Sequence, residues 1–240
     1  MSRGEQKVAV VTGGSQGIGA GLVEAYRQQG WAVVANSRTI KPSDDPDVLT
    51  VDGDLSEPET TDRIIGAAVH GFARIDTLIN NAGAYISKPF TEFTYDDYST
   101  AVGVNLTGFF RLTQGAISQM VKRGSGHVVN ITATDAEYAD SRAPSVLAAL
   151  TKGGLASATR SLAIEYASRG IRVNAVSPGV IQTPMHTSES YDALAQLSPT
   201  GRVGQISDIV DGILFLESSP FITGEILHID GGRTAGRAGS

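Results

Sequence analysis

Val8-Ala9-Val10-Val11-Thr12-Gly13-Gly14-Ser15-Gln16-Gly17-Ile18-Gly19 is the stretch on which the fold turns. Its apolar run has the length and composition of a strand, and a helical pattern opens at Ile18. Between the two, glycines at 13, 17 and 19 permit a tight turn and close approach of the backbone to whatever lies beyond it. A strand leading through such a turn into a helix begins a βα unit. The fold then depends on whether the unit repeats.

It repeats to the end of the chain. Besides Val8–Val11, strands are expected at Ala32–Asn36, Val48–Asp52, Thr77–Asn80, His127–Ile131, Arg172–Ser177 and Glu225–Ile229. Helices are expected around Ile18–Gln29, Pro58–Phe72, Tyr95–Arg123, Val146–Ser168 and Ser207–Ser218, with a shorter one within Ser188–Leu197. Alternating βα units joined by right-handed crossovers give a parallel sheet with its ligand crevice at the carboxyl ends of the strands. The expected fold is α/β. A single Rossmann-type domain spans residues 1–240, its doubly wound parallel sheet having about seven strands and helices on both faces. One crossover departs from the pattern. Ser37-Arg38-Thr39-Ile40-Lys41-Pro42-Ser43-Asp44-Asp45-Pro46-Asp47 holds two prolines and three aspartates, so a loop is expected there in place of a helix. Residues 233–240 are expected to form a loose tail.

Composition narrows the function. The 240 residues carry a net charge of −6, which disfavours nucleic acid as a main partner, because phosphate binding needs clustered positive charge. No apolar run approaches the roughly 18–20 residues that span a bilayer, so no membrane partner is expected. The first strand follows Met1–Lys7 directly, leaving no room for a signal peptide, and the cytoplasm is the default compartment. Cysteine is absent and the four histidines are scattered, so no metal site is expected.

The spacing Gly-x-x-x-Gly-x-Gly differs from the common Gly-x-Gly-x-x-Gly fingerprint, and a glycine cluster alone often serves only a turn. Further signatures follow it in order. They are Asp54-Leu55, Asn80-Asn81-Ala82-Gly83, Asn105 in Val104-Asn105-Leu106-Thr107-Gly108, Lys152 in Thr151-Lys152-Gly153-Gly154, Pro178-Gly179-Val180-Ile181-Gln182-Thr183 and Asp230-Gly231-Gly232. Together they cover nearly the whole chain and resemble the short-chain dehydrogenase/reductase family. The resemblance implies a nicotinamide dinucleotide whose pyrophosphate lies against Gly13, Ser15, Gln16, Gly17, Ile18 and Gly19 at a helix N-terminus. It places the adenine near Asp54 and Leu55. Asn81, Ala82 and Gly83 are implied to bind the cofactor as well, and the nicotinamide end falls near Lys152, Pro178, Gly179, Val180 and Thr183. An acidic residue ending the second strand would favour NAD(H) through the ribose 2′-hydroxyl. Ser37 stands there, followed by Arg38, a planar multi-donor cation suited to a 2′-phosphate. NADP(H) is therefore favoured, with NAD(H) as the alternative, since Gln16 stands where many NADP(H)-binding relatives have a second basic residue. A homo-oligomer, tetramer or dimer, and a small-molecule substrate are also implied, but no motif names the substrate.

The resemblance further implies a catalytic set. In that family a serine orients the substrate carbonyl and a tyrosine transfers the proton. A lysine holds the ribose and lowers the tyrosine pKa, and an asparagine holds the water that links the lysine to solvent. Lys152 and Asn105 match the last two. The tyrosine position, four residues before the lysine, is Ala148, and the best register for the serine gives Ala133. Thr132 and Thr134 flank Ala133, though neighbours on a strand face opposite ways. Tyr138, in the loop after the fifth strand, is the first candidate for a replacement proton donor. Tyr85, Tyr191, His186 and Lys152 itself are the others. Three readings stay open: an oxidoreductase with an atypical proton donor, a catalytically inactive dinucleotide-binding relative, and a relative whose cofactor cleft has also decayed.

Overall fold

The computed structural model describes residues 6–141, 143–184 and 191–236. Seven parallel strands form one sheet in the order β3-β2-β1-β4-β5-β6-β7, namely β1 (Val8–Thr12), β2 (Ala32–Ser37), β3 (Val48–Asp52), β4 (Thr77–Asn80), β5 (Gly126–Ile131), β6 (Ile171–Pro178) and β7 (Ile226–Ile229). The order reverses beside β1, between β1 and β4, and a crevice opens there at the carboxyl ends of the strands. The helices are α1 (Gly17–Gln28), α2 (Pro58–Phe72), α3 (Tyr95–Val102), α4 (Phe109–Arg123), α5 (Val146–Tyr166), α6 (Tyr191–Ala195) and α7 (Ile206–Ser218). The α/β, doubly wound expectation therefore holds, with helices on both faces.

Two apolar cores explain the arrangement. On one face Val8, Val10, Val34, Leu78 and Val128 meet Ile64, Ala68 and Phe72 of α2 and Leu112, Ala116 and Met120 of α4. On the other, Ala9, Val11, Val33, Ile79 and Val129 meet Leu22 and Tyr26 of α1 and Ile209, Ile213 and Leu216 of α7. Successive strand residues point to opposite faces, so a sheet covered on both sides needs apolar residues at every position. β1 supplies this, being fully buried.

Residues 38–47 contain no helix, as their prolines and aspartates suggest. The loop is pinned instead by Arg27 of α1, whose Nε lies 2.8 Å from Asp45 and whose Nη2 lies 3.0 Å from Asp47. The loop covers less than a helix would, and β3 is only partly buried at Val48, Leu49 and Thr50. Two expectations need correction. The expected single helix Tyr95–Arg123 is divided by a π-helical turn at Gly103–Gly108. The expected loose tail is anchored at its start, since Arg233 is only 6% exposed. The Asp230 carboxylate accepts from the Gly232 and Thr234 amides, each at 2.8 Å, and from the Thr234 hydroxyl at 2.7 Å, folding the chain back after β7. No helix among the described residues is long and apolar enough to cross a membrane.

Candidate active site

A cleft of about 730 Å³ runs along the carboxyl ends of the strands. Its narrow end is built by the turn between β1 and α1. Thr12 holds that turn to the one after β4: its hydroxyl accepts from the amides of Asn81 and Ala82, both at 3.0 Å, and its carbonyl accepts from Asn81 Nδ2 at 2.8 Å. Gly13, Ser15, Gln16, Gly17 and Ile18 border the cleft. Gly19 does not border it but makes the turn possible, because a Cβ there would lie 2.1 Å from the Gly13 carbonyl oxygen. Gln16 gives α1 no side-chain cap. The first amides of the helix, at Gly17 and Ile18 on the cleft wall, therefore have no side-chain cap among the described residues, which suits an anion.

At the β2 end, Asn36 is buried and donates to the carbonyls of Val51 (2.9 Å) and Gly53 (3.2 Å), fixing the ends of β2 and β3 together. Ser37, Arg38, Thr39, Asp54 and Leu55 border the cleft beyond it. Arg38 is exposed there and has no ion-pair partner among the described residues. The Asp54 carboxylate turns inward on its own loop, accepting from the Ser56 amide at 2.9 Å and hydroxyl at 2.8 Å.

At the opposite end stands Lys152. A buried polar ladder sets the β4, β5, α4 and α5 elements around it. Asn80 donates to Thr113 and to Asn130, and Asn130 donates to Thr159, each at 2.9 Å. Lys152 itself is 8% exposed and donates one hydrogen bond, to the Ile131 carbonyl at 2.8 Å. Burial lowers its pKa to about 8. Asn105 lies in the π-helical turn, where the widened backbone lets its side chain reach two elements at once. It accepts from the Ala84 amide at 2.8 Å and donates to the Ala84 carbonyl and the Thr151 hydroxyl, both at 3.0 Å. Asn105 thus stands behind the lining, locking the Gly83-Ala84 wall to the residue before Lys152.

The lining further includes Asn81, Ala82 and Gly83, then Pro178, Gly179, Val180 and Thr183, and also Ala133, Thr134, Asp135, Tyr85 and Arg233. Ala148 is buried one turn before Lys152 and does not border the cleft, whereas Ala133 does. Thr132 spends its hydroxyl on the Val176 carbonyl at 3.1 Å. Tyr138, expected first as a proton donor, does not border the cleft. The short turn at Thr134–Ala136 carries it past the rim, and its ring lies 5.7 Å from the guanidinium of Arg233. Tyr191 faces a separate groove with Gln182 and Arg202, and His186 falls outside the described residues. Tyr85 does border the cleft, and burial, with help from the Asp135 charge, raises its pKa. Asp135 and Arg233 were not expected at the site. Burial raises the Asp135 carboxyl against the opposing pull of Arg233. The readable signal was Asp230-Gly231-Gly232, a turn sequence that reverses the chain and brings the next residue inward. No cluster able to hold a metal occurs among the described residues.

Comparison with known proteins agrees with this geometry. A family model described as "Enoyl-(Acyl carrier protein) reductase" matches residues 13–234. A 3-oxoacyl-[acyl-carrier-protein] reductase of Synechocystis sp. is 32% identical, across 94% of this chain and 96% of that protein. The solved structure "ElxO with NADP Bound" superposes with a TM-score of 0.89 at 30% identity, across 96% of this chain and all (100%) of the other. A short-chain dehydrogenase of Leptospira borgpetersenii with bound NAD+ superposes at 0.87 with 32% identity, across 95% and 93% of the two chains.

Proposed function

The chain belongs to the short-chain dehydrogenase/reductase family, and from that premise we propose that it is an NADP(H)-binding oxidoreductase moving hydride between the nicotinamide and a carbonyl or alcohol carbon of a small molecule. The observation that carries the reading is Lys152, a buried ammonium with spare donors at the opposite end of one cleft from a free helix N-terminus and Arg38. The donors fit the dinucleotide. Free α1 amides suit its pyrophosphate, and Arg38 with Ser37 and Thr39 suits a 2′-phosphate. NAD(H) remains the alternative cofactor. When bound, the nicotinamide supplies or accepts the hydride.

The residues of the chain then have the proton to handle. Ala148 and Ala133 stand where the family's proton-transferring tyrosine and orienting serine are expected, and neither side chain can donate. Lys152, with its pKa lowered to about 8, is the group best matched to proton transfer near neutrality. Tyr85 is the second candidate on the cleft wall. Tyr138 acts in this reading through Arg233 rather than on the substrate. Asn105 positions Lys152 through Thr151. Homo-oligomeric assembly fits the exposed Phe110 of α4 and Val146 and Leu150 of α5, an apolar set of the kind that marks interfaces.

The test is NADPH oxidation over a panel of aldehydes and ketones, run on the parent protein and on Lys152→Ala, Tyr85→Phe and Tyr138→Phe variants. Turnover lost in Lys152→Ala and kept in both phenylalanine variants is the expected result. Tight NADPH binding with no turnover on any carbonyl would favour the second reading, a non-catalytic dinucleotide binder. Ala133, a methyl group on the cleft wall at a position expected to carry a hydroxyl, is what keeps that reading in play.

A further inference from the structure

We infer that Arg233 is the receptor for a carboxylate carried by the small-molecule substrate. The inference rests on the reading that this cleft takes a nicotinamide dinucleotide, and it adds the chemical class of the second ligand. Arg233 arrives at the cleft because three hydrogen bonds to the Asp230 carboxylate reverse the chain after β7. Its backbone is clamped from the other side as well, since the Gly231 carbonyl accepts from the Thr200 amide at 3.1 Å and the Ser198 hydroxyl at 3.2 Å. The side chain is therefore placed by a folded turn, not by a free terminus.

What it finds there is an incomplete set of partners. Arg233 is 6% exposed, and its Nε and Nη2 are enclosed with no hydrogen-bond partner among the described residues. The closest carboxylate oxygen, Oδ1 of Asp135, is 3.5 Å from Nη2, too far for a good N–H···O bond. The Tyr138 ring covers the group at 5.7 Å. A guanidinium keeps its charge at any ordinary pH, so it cannot relieve burial by losing a proton, and an enclosed one calls for an anion with matching acceptors. The protein supplies part of that match through Asp135, and the residue whose remaining donors are unmet borders the cleft.

Position and charge identify the missing half. Asp135 lies four residues beyond Ile131, whose carbonyl holds Lys152, so Arg233 sits at the reacting end of the cleft and not at the β2 end. A planar carboxylate matches the guanidinium fork, and beside Asp135 and its neighbour Asp140 a singly charged anion meets less repulsion than a doubly charged one. A phosphate dianion would face those same two carboxylates with only one cation.

The experiment uses matched probes that differ only in charge: levulinate and benzoylformate, each against its methyl ester, with inorganic phosphate as a separate arm. Dissociation constants are measured calorimetrically for the parent, Arg233→Gln, Arg233→Lys and Asp135→Asn proteins, with and without NADPH. The parent is expected to favour each acid over its ester by at least about tenfold, as a charge-assisted hydrogen bond allows. Arg233→Gln should lose that preference while its NADPH affinity stays within about twofold, and Arg233→Lys should keep part of it. Asp135→Asn, which removes the competing carboxylate, should bind the acids more tightly. Equal binding of acid and ester by the parent, or an acid preference that survives Arg233→Gln, overturns the inference, as does phosphate binding tighter than either acid. Should Arg233→Gln fail to fold, weaker acid binding by Asp135→Asn overturns it independently. A parent that prefers acids but ignores NADPH sinks the cofactor reading and leaves this one standing.

Discussion

Replacing Lys152 by methionine separates a residue kept for function from one kept for stability. Methionine preserves most of the apolar stem and removes the ammonium, with its bond to the Ile131 carbonyl. Burial lowers the Lys152 pKa from 10.5 to about 8 in the folded chain, so folding a charged lysine costs roughly 2.5 × 1.36, or about 3 kcal/mol. A folded pKa below the unfolded one means that the unfolded chain binds more protons between these values. Stability therefore rises as pH rises through that window. Below pH about 8 the penalty is fully present, and by about pH 10 less than about 1 kcal/mol of it remains. Lys152→Met should thus stabilise the cofactor-free protein at neutral pH, by about 2 kcal/mol after allowance for the lost hydrogen bond. Near pH 10 the gain should vanish or reverse. Urea denaturation of both proteins at the two pH values measures it. A variant less stable than the parent by the same amount at both pH values would refute the reasoning, since it would make Lys152 a structural group.

Three other perturbations follow from the site. Arg38→Ala should weaken NADPH binding by roughly 10–100-fold, the worth of a charge-assisted hydrogen bond, and leave NADH within about twofold; fluorescence titration with each nucleotide checks it. Ala148→Tyr should raise carbonyl reduction by about 10²–10⁴ if a phenol one turn before Lys152 meets the substrate, as followed by NADPH oxidation. No gain with cofactor binding intact would show that Ala148 does not occupy the proton-transfer position. Asn105→Ala should cost about 1–3 kcal/mol in a urea unfolding experiment, because it strands the Ala84 amide and carbonyl in a half-buried wall and the buried Thr151 hydroxyl loses a donor.

Much of this was legible in the sequence, for reasons that differ from residue to residue. Strands such as Val8–Thr12 and Ile171–Pro178 are written by local composition, since a sheet covered on both faces admits only apolar runs. The loop between β1 and α1 was legible because its glycines answer a backbone requirement: a Cβ at residue 19 has no room. The absent crossover helix could be read from Pro42 and Pro46. What stayed hidden depended on tertiary direction. The π-helical turn at Gly103–Gly108 leaves the apolar spacing of a long helix nearly unchanged. Tyr138, expected at the cleft, lies beyond its rim, and Arg233, expected in a loose tail, borders it, because a short turn after β5 and the Asp230 knot decide where each side chain goes, and neither decision is local to the residue concerned.

The buried charges of the molecule say where its work is done. Away from the cleft, Glu217 accepts from Thr77 at 2.8 Å and Tyr26 at 3.1 Å and lies 3.0 Å from His127. Arg172 donates to the carbonyls of Leu216 and Glu217 at 2.8 and 3.1 Å. Every member of that network has partners, as buried polar groups normally do, and stability alone accounts for it. Lys152 and Arg233 are different. Among the described residues, one ammonium keeps a single bond where three donors exist, and one guanidinium encloses two nitrogens with no hydrogen bond. Both border the same cleft. A sequence free to optimise stability would have satisfied their donors, and violations of this kind concentrate where a ligand completes the set. Whatever stands at 133 and 148, these two charged groups are in place at the cleft, and it is they that Lys152→Met and Arg233→Gln interrogate.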